Sequence, residues 1–203
     1  YEGKCLAMPE LQYKDHCIRL SQWDLNDMRT VWRQQYESLP PPLELPTDYP
    51  RTPGKKRRGE LISLPLPTEL SKGIRSFART QGVSEYMLFL SAAFLLLSRH
   101  SGQEDLVIGS AFSGRTDTAT ENMPGMFAAT LPLRAYPEQG KTYKAFLQEI
   151  KALSLCGQEN QEYPFETLIQ DLNIPGEVGR NPLFDVMLVM QNGDQAAYTE
   201  GAL

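Results

Sequence analysis

Apolar residues recur at helical spacing in several windows of the chain. Tyr13 to Leu20 reads as a helix. Met28, Val31, Trp32 and Tyr36 mark the inner face of a second helix, led in by Trp23 and Leu25. From Leu39 to Arg58 the pattern breaks, because Pro40, Pro41, Pro42, Pro46, Pro50 and Pro53 are followed by Gly54. Proline fixes φ and removes a backbone donor, so no regular element is expected there. Glu60 to Leu66 then reads as a strand ended by Pro65 and Pro67. Leu70, Ile74, Phe77 and Ala78 predict one face of a helix stopping near Gly82. Ser84 is placed to cap the next helix, whose body from Met87 to Leu97 is apolar nearly all round, as in buried helices. It ends at Arg99-His100-Ser101-Gly102, with cations at the negative end of the helix and a glycine beyond it.

The second half alternates. Asp105 to Phe112 suits a buried strand, and Met126 to Tyr136 predicts another. Tyr143, Phe146, Leu147, Ile150 and Leu153 predict a helix, and Pro164 suits the first turn of a short one carrying Phe165, Leu168, Ile169 and Leu172. Leu183 to Met190 reads as a final strand. Strands alternating with helices predict an α/β architecture, a layered sheet with flanking helices. Strand order is not fixed by the pattern, and a mixed sheet is allowed. The expected divisions are a helical lead-in and crossover over 1–38, a proline-rich linker over 39–58, a layered lobe over 59–192, and a loop or truncated end over 193–203.

Composition narrows the function classes. Of 203 residues, 20 are basic and 25 acidic, for a net charge of −5. That balance gives no reason to expect nucleic acid or an anionic membrane as partner. The longest apolar run, Met87 to Leu97, is broken by Ser91 and is too short to span a bilayer. The start, Tyr1-Glu2-Gly3-Lys4, has no initiator methionine and no signal-peptide pattern, so a piece of a longer polypeptide is expected. Cys5, Cys17 and Cys156 are scattered, and the two histidines, His16 and His100, lie far apart. Neither a disulfide framework nor a structural zinc site is expected, only a reduced, cytoplasmic, metal-free domain. Lys55-Lys56-Arg57-Arg58 is expected to be a solvated loop.

Familiar catalytic signatures are missing. There is no phosphate-binding glycine loop. Gly109-Ser110-Ala111-Phe112-Ser113-Gly114 is not a nucleophile elbow. His100 is expected to be a helix C-terminal cation. His16 follows Asp15, so a local ion pair or an exposed position is expected.

Four segments do carry a signal. Tyr13-Lys14-Asp15-His16-Cys17-Ile18-Arg19 resembles Tyr-x-Asp-Phe-Ala-x-Trp in degraded form. Pro124-Gly125-Met126-Phe127-Ala128-Ala129-Thr130-Leu131-Pro132-Leu133-Arg134 resembles Ile-Gly-x-Phe-Val-Asn-Thr-x-x-x-Arg. Asn160-Gln161-Glu162-Tyr163-Pro164-Phe165-Glu166 resembles His-Gln-Asp-Tyr-Pro-Phe-Glu, and Gly179-Arg180-Asn181-Pro182-Leu183-Phe184-Asp185 resembles Ser-Arg-Asn-Pro-Leu-Phe-Asp. In order and spacing these resemble the condensation domains of nonribosomal peptide synthetases.

The resemblance implies the C-terminal lobe of a chloramphenicol-acetyltransferase-like fold and a role in secondary-metabolite assembly. It implies peptide-bond formation between an acyl or peptidyl thioester on an upstream carrier protein and an aminoacyl thioester on a downstream one. It also implies that no cofactor is bound directly and that the carriers' phosphopantetheine arms enter the domain. The implied partners are the N-terminal lobe of the same domain, both carriers and an adjacent adenylation domain. The family's His-His-x-x-x-Asp-Gly motif is not in this sequence, so no catalytic residue is expected here and the fragment alone is expected to be inactive.

Gly125, Thr130, Arg134, Tyr163, Pro164, Glu166, Arg180, Asn181 and Asp185 are the motif-bearing or channel candidates. Each also has a plainer reading. Gly125 suits a backbone that a side chain would hinder. Arg134 suits an internal carboxylate partner, Arg180 and Asn181 a hydrogen-bonded turn, and Tyr163 and Phe165 aromatic anchors at a helix start. Thr130 is expected to face the channel. The sequence departs from the family at Ala129 for Asn, Asn160 for His, Gly179 for Ser and Arg19 for Trp. Alternative readings are a non-catalytic module that binds carrier proteins, and an epimerising or ester-forming relative.

Overall fold

A computed structural model describes residues 11–49, 59–176 and 180–191. Cys5, the run 55–58, Gly179 and the tail 193–203 lie outside the described residues. Two helices open the chain, α1 (Tyr13–Ser21) and α2 (Asn26–Gln35). After residues 39–49 and an arm at 59–67, neither of which forms a helix or strand, come α3 (Thr68–Gln81) and α4 (Glu85–Ser101). The order then runs β1 (Leu106–Phe112), a 3-10 turn (Thr118–Thr120), β2 (Ala129–Ala135), α5 (Tyr143–Glu159), α6 (Phe165–Asp171) and β3 (Met187–Leu188).

Local chemistry accounts for the helix ends. The Ser84 hydroxyl accepts from the Met87 N–H at 3.2 Å, and Thr142 accepts from the Ala145 N–H at 3.2 Å, each satisfying a donor with no partner inside its helix. Gly102 closes α4 in the left-handed region with His100 exposed in the last turn. Pro164 occupies the N-cap of α6, one residue ahead of the expected first turn.

The sheet is mixed, in the order β2-β1-β3. β1 pairs antiparallel with β2, from Leu106 opposite Ala135 to Phe112 opposite Ala129. It pairs parallel with β3 only at Gly109–Met187 and Ser110–Leu188. The core lies between this sheet and helices α2, α4, α5 and α6, and includes Trp32, Tyr36, Leu90, Phe94, Ile108, Leu133, Phe146 and Ile150. Phe184 lies over Gly109, where a Cβ would meet its ring at 2.4 Å.

Three strand expectations are corrected. Leu183–Met190 shrinks to two paired residues, because the N–H groups of Leu183 and Phe184 donate to Asn181 Oδ1 (3.1 and 3.3 Å) instead of a ladder. Met126–Tyr136 pairs only from Ala129 onward. Glu60–Leu66 forms no regular element and joins no sheet among the described residues. Residues 39–49 lack regular structure yet pack, with Leu43 and Leu45 against the core. Gln103 clamps that stretch, accepting from the Glu44 N–H (2.8 Å) and donating to the Pro42 carbonyl (3.0 Å).

Candidate functional site

An open cleft of about 380 Å³ is walled by α1, residues 126–130 and residues 161–166. Its first wall is aromatic. The Tyr13 hydroxyl donates to the Met126 carbonyl at 2.6 Å, tying α1 to the stretch before β2. The Phe127 ring meets Tyr13 edge-on at 5.1 Å and lies 5.1 Å from the His16 ring. A Cβ on Gly125 would approach the Tyr13 ring to 2.4 Å, so the absence of a side chain there permits the closure.

Phe127 is fixed from behind by Arg115, whose guanidinium sits 4.1 Å from the ring centroid. Arg115 itself donates to the carbonyls of Thr120 and Met123, the latter at 3.0 Å. On the opposite wall, buried Gln161 accepts from the Gly114 N–H at 3.2 Å and donates to the Gln158 carbonyl at 2.8 Å. Glu162 accepts from the Thr116 hydroxyl. Glu166 is exposed at the mouth, while Ala129 and Thr130 are half-buried on its floor.

Tyr163 is buried between this cleft and α2. Its hydroxyl donates to Asp171, which accepts from Arg29 Nε at 2.7 Å and Nη2 at 2.5 Å. Burial and the Asp171 carboxylate push the Tyr163 hydroxyl up to about 12. The Arg29 guanidinium, and then the Tyr163 hydroxyl, hold Asp171 below the ordinary aspartate range.

The candidate residues thus divide. Thr130, Tyr163, Pro164 and Glu166 line the cleft, and Gly125 supports its wall. Arg134 sits at the far end of β2, where Nε and Nη2 donate to Asp105 at 2.8 and 2.7 Å and Nη1 donates to the Gln35 and Ser38 carbonyls at 2.9 and 2.5 Å. Arg180 pairs with Asp185 and donates to the Leu43 carbonyl at 3.1 Å, which anchors the 39–49 stretch. Asn181 forms the turn described above. The geometry places these last four at the scaffold, away from the cleft lining.

His16 departs from expectation. Asp15 is engaged as the acceptor of the Gln12 N–H at 3.1 Å, and His16 is half-buried on the cleft wall. The signal was present in the sequence, since Tyr13 and His16 lie three apart on one helix face. Phe127, Gln161, Arg29 and Asp171 were also missed; the last two stand outside any motif and meet only through the fold. Among the described residues no cluster of three or more His, Cys, Asp or Glu side chains is arranged to hold a metal ion. No single helix there is long and apolar enough to cross a membrane.

Residues 1–202 match the family model for the condensation domain, and the chain belongs to that family. It is 37% identical over 202 residues to bacitracin synthase 1 of Bacillus licheniformis, covering 96% of this chain and 4% of that protein. It is 39% identical over 196 residues to gramicidin S synthase 2 of Brevibacillus brevis, covering 95% and 4%. The fold is similar to the crystal structure of the X-domain from teicoplanin biosynthesis, with a TM-score of 0.80 and 24% identity over 90% of this chain and 42% of that one. The fold is of the chloramphenicol-acetyltransferase-like class, and the chain spans about 4% of the length of each of these two synthetases.

Proposed function

We propose that this chain serves as the C-terminal lobe of a peptide-bond-forming condensation domain, and that its cleft is a stretch of the channel receiving carrier-bound substrates. The observation that carries this reading is convergence. Three of the four family-like segments, beginning at Tyr13, Pro124 and Asn160, meet around one open cleft although they lie far apart in the chain. A fold with no shared task for them has no reason to bring them together.

The chemistry fits a positioning wall. The cleft presents aromatic rings, a threonine hydroxyl and small residues at 128 and 129, with no activated nucleophile and no His-His pair. Peptide-bond formation asks for alignment of a neutral amine with a thioester, and such alignment contributes roughly 7–11 kcal/mol to lowering a barrier. The proton-accepting histidine is then supplied by the N-terminal lobe. Upstream and downstream carrier proteins, with their phosphopantetheine arms, and a neighbouring adenylation domain are the partners of this reading.

The test is dipeptidyl-thioester formation by the intact condensation domain containing this chain. Ala128→Trp, which fills the cleft from an exposed position, is expected to lower the rate by about tenfold or more while leaving the melting temperature unchanged. The 203-residue chain alone is expected to form no product. Product from the chain alone, or full activity of the tryptophan variant, would overturn the reading.

Ala129 favours a second reading, a carrier-binding module without catalysis, because alanine offers no hydrogen bond where the family places an amide. Asn160 adds less weight. Its side chain donates to the Cys156 carbonyl at 2.8 Å and its own carbonyl accepts from the Trp32 indole at 3.0 Å, a structural position. An intact domain that shows amide shifts with carrier protein but forms no product would select this second reading.

A further inference from the structure

Two residues of the cleft change the chemistry that the family-like motifs offer there. Ala129 stands for asparagine and removes an amide. His16 stands for phenylalanine and adds a polar ring. The imidazole keeps the aromatic packing of the residue it replaces, stacked on Tyr13 at 6.5 Å and tilted to Phe127 at 5.1 Å. Neither of its nitrogens has a hydrogen-bond partner among the described residues. A ligand that displaces water from that ring must replace its hydrogen bonds or lose affinity.

Most other polar groups of the wall are engaged. Tyr13 donates to the Met126 carbonyl, Tyr163 donates to Asp171, and Gln161 joins Gly114 to Gln158. Among the described residues, His16 and Thr130 are the lining side chains that carry a donor and have no protein partner. The facing wall offers acceptors: Glu166 at the mouth, and Glu162, whose second oxygen remains after Thr116. No lysine or arginine lines the cleft. The complementary group therefore accepts a hydrogen bond, donates one and carries no negative charge. A hydroxyl does so from a single atom. A carboxamide offers its oxygen on one side and its NH2 on the other, as the cleft offers donors on one wall and carboxylates on the facing one. An aliphatic side chain would leave the imidazole without a bond, and a carboxylate would meet two others.

Resting on the channel reading above, we propose that His16 is a specificity-determining residue that reads a side-chain carboxamide on the carrier-bound amino acid. The phosphopantetheine arm has amides too, but it is common to all carrier-bound substrates. A residue that departs from the motif points to the group that varies, which is the amino acid.

The intact condensation domain containing this chain tests the proposal. Carrier protein is loaded with asparagine, leucine or aspartate, whose side chains are nearly equal in size, and is offered first as donor and then as acceptor. One readout is kcat/KM for dipeptidyl-thioester formation. The other is Kd for carriers loaded through a stable amide in place of the thioester. In at least one position, asparaginyl carrier is expected to be favoured over leucyl and aspartyl carrier by about tenfold in both readouts. His16→Phe is expected to lower the asparaginyl-to-leucyl ratio by about tenfold, and His16→Gln, which keeps hydrogen-bonding groups, to retain part of it. Three outcomes overturn the proposal: no asparaginyl preference in the parent, a ratio that survives His16→Phe, or equal loss in the two variants. An effect of His16→Phe that is the same for asparaginyl and leucyl carriers assigns the imidazole to the arm or to packing, and this too overturns it. Product formed without selectivity sinks the proposal and leaves the channel reading standing. Selective binding that depends on His16, without product, sinks the peptide-forming reading alone.

Discussion

At Gly125 the space for a side chain is already taken by the Tyr13 ring, 2.4 Å from where a Cβ would sit. Gly125→Ala must push that ring away and stretch the 2.6 Å hydrogen bond from Tyr13 to the Met126 carbonyl. Overpacking of this kind costs about 1–3 kcal/mol. Gly59, with nothing within 4 Å of its Cβ position, is the matched control, and Gly59→Ala is expected to stay within about 0.5 kcal/mol of the parent. Urea denaturation of both variants checks this, and equal midpoints would mean that Tyr13 does not hold the cleft wall. The motif around Gly125 was visible in the sequence, and so was a glycine that a side chain would hinder. The hindering group was not, because Tyr13 lies in a separate segment and only the packing of α1 brings it near.

Arg134 shows how the elements are joined. It faces Val107 across the β1–β2 ladder, which makes Asp105 its diagonal neighbour on the same sheet face. With a side chain only 4% exposed, it also gathers the carbonyls at the end of α2. Arg134→Met is expected to cost about 3–5 kcal/mol, since it leaves Asp105 without its ionic partner. Arg134→Lys should recover little of this, because an ammonium cannot reproduce the forked geometry. Chemical denaturation reads both values, and near-parent stability of the lysine variant would contradict the bidentate arrangement. Helices were the most legible elements: Ser84 and Gly102 act within one turn of their own sequence. Strands were less so. Glu60 to Leu66 carries strand chemistry without a partner among the described residues, and Leu183 to Met190 loses its first donors to Asn181. Likewise, the family motifs named Arg134, Arg180 and Asn181 but did not separate scaffold from cleft, because only the sheet register and the turn geometry do that.

The lead-in helices are held on the body by long-range ties, and one of them titrates. Arg29 on α2 and Asp171 on α6 are 142 residues apart, and Tyr163 completes the cluster. Asp171 has a folded pKa below its unfolded one, so its contribution is fully present above the ordinary aspartate range and is lost as pH falls through the depressed folded value. Tyr163 is shifted the other way, up to about 12 from 10.0, so its contribution is intact below 10.0 and is lost as pH rises toward 12. Stability plotted against pH should therefore fall at both ends. Asp171→Asn is expected to flatten the acid limb, and Tyr163→Phe the part of the alkaline limb between 10.0 and 12. Tyr36 and Tyr86, both pushed up chiefly by burial, keep a residual alkaline slope in the phenylalanine variant. Urea midpoints measured across the two limbs decide the matter. An Asp171→Asn acid limb as steep as the parent's would mean that the ion pair contributes nothing and that α2 is held by its other ties, among them the bonds of Trp32 and Tyr36 to the Asn160 and Pro132 carbonyls.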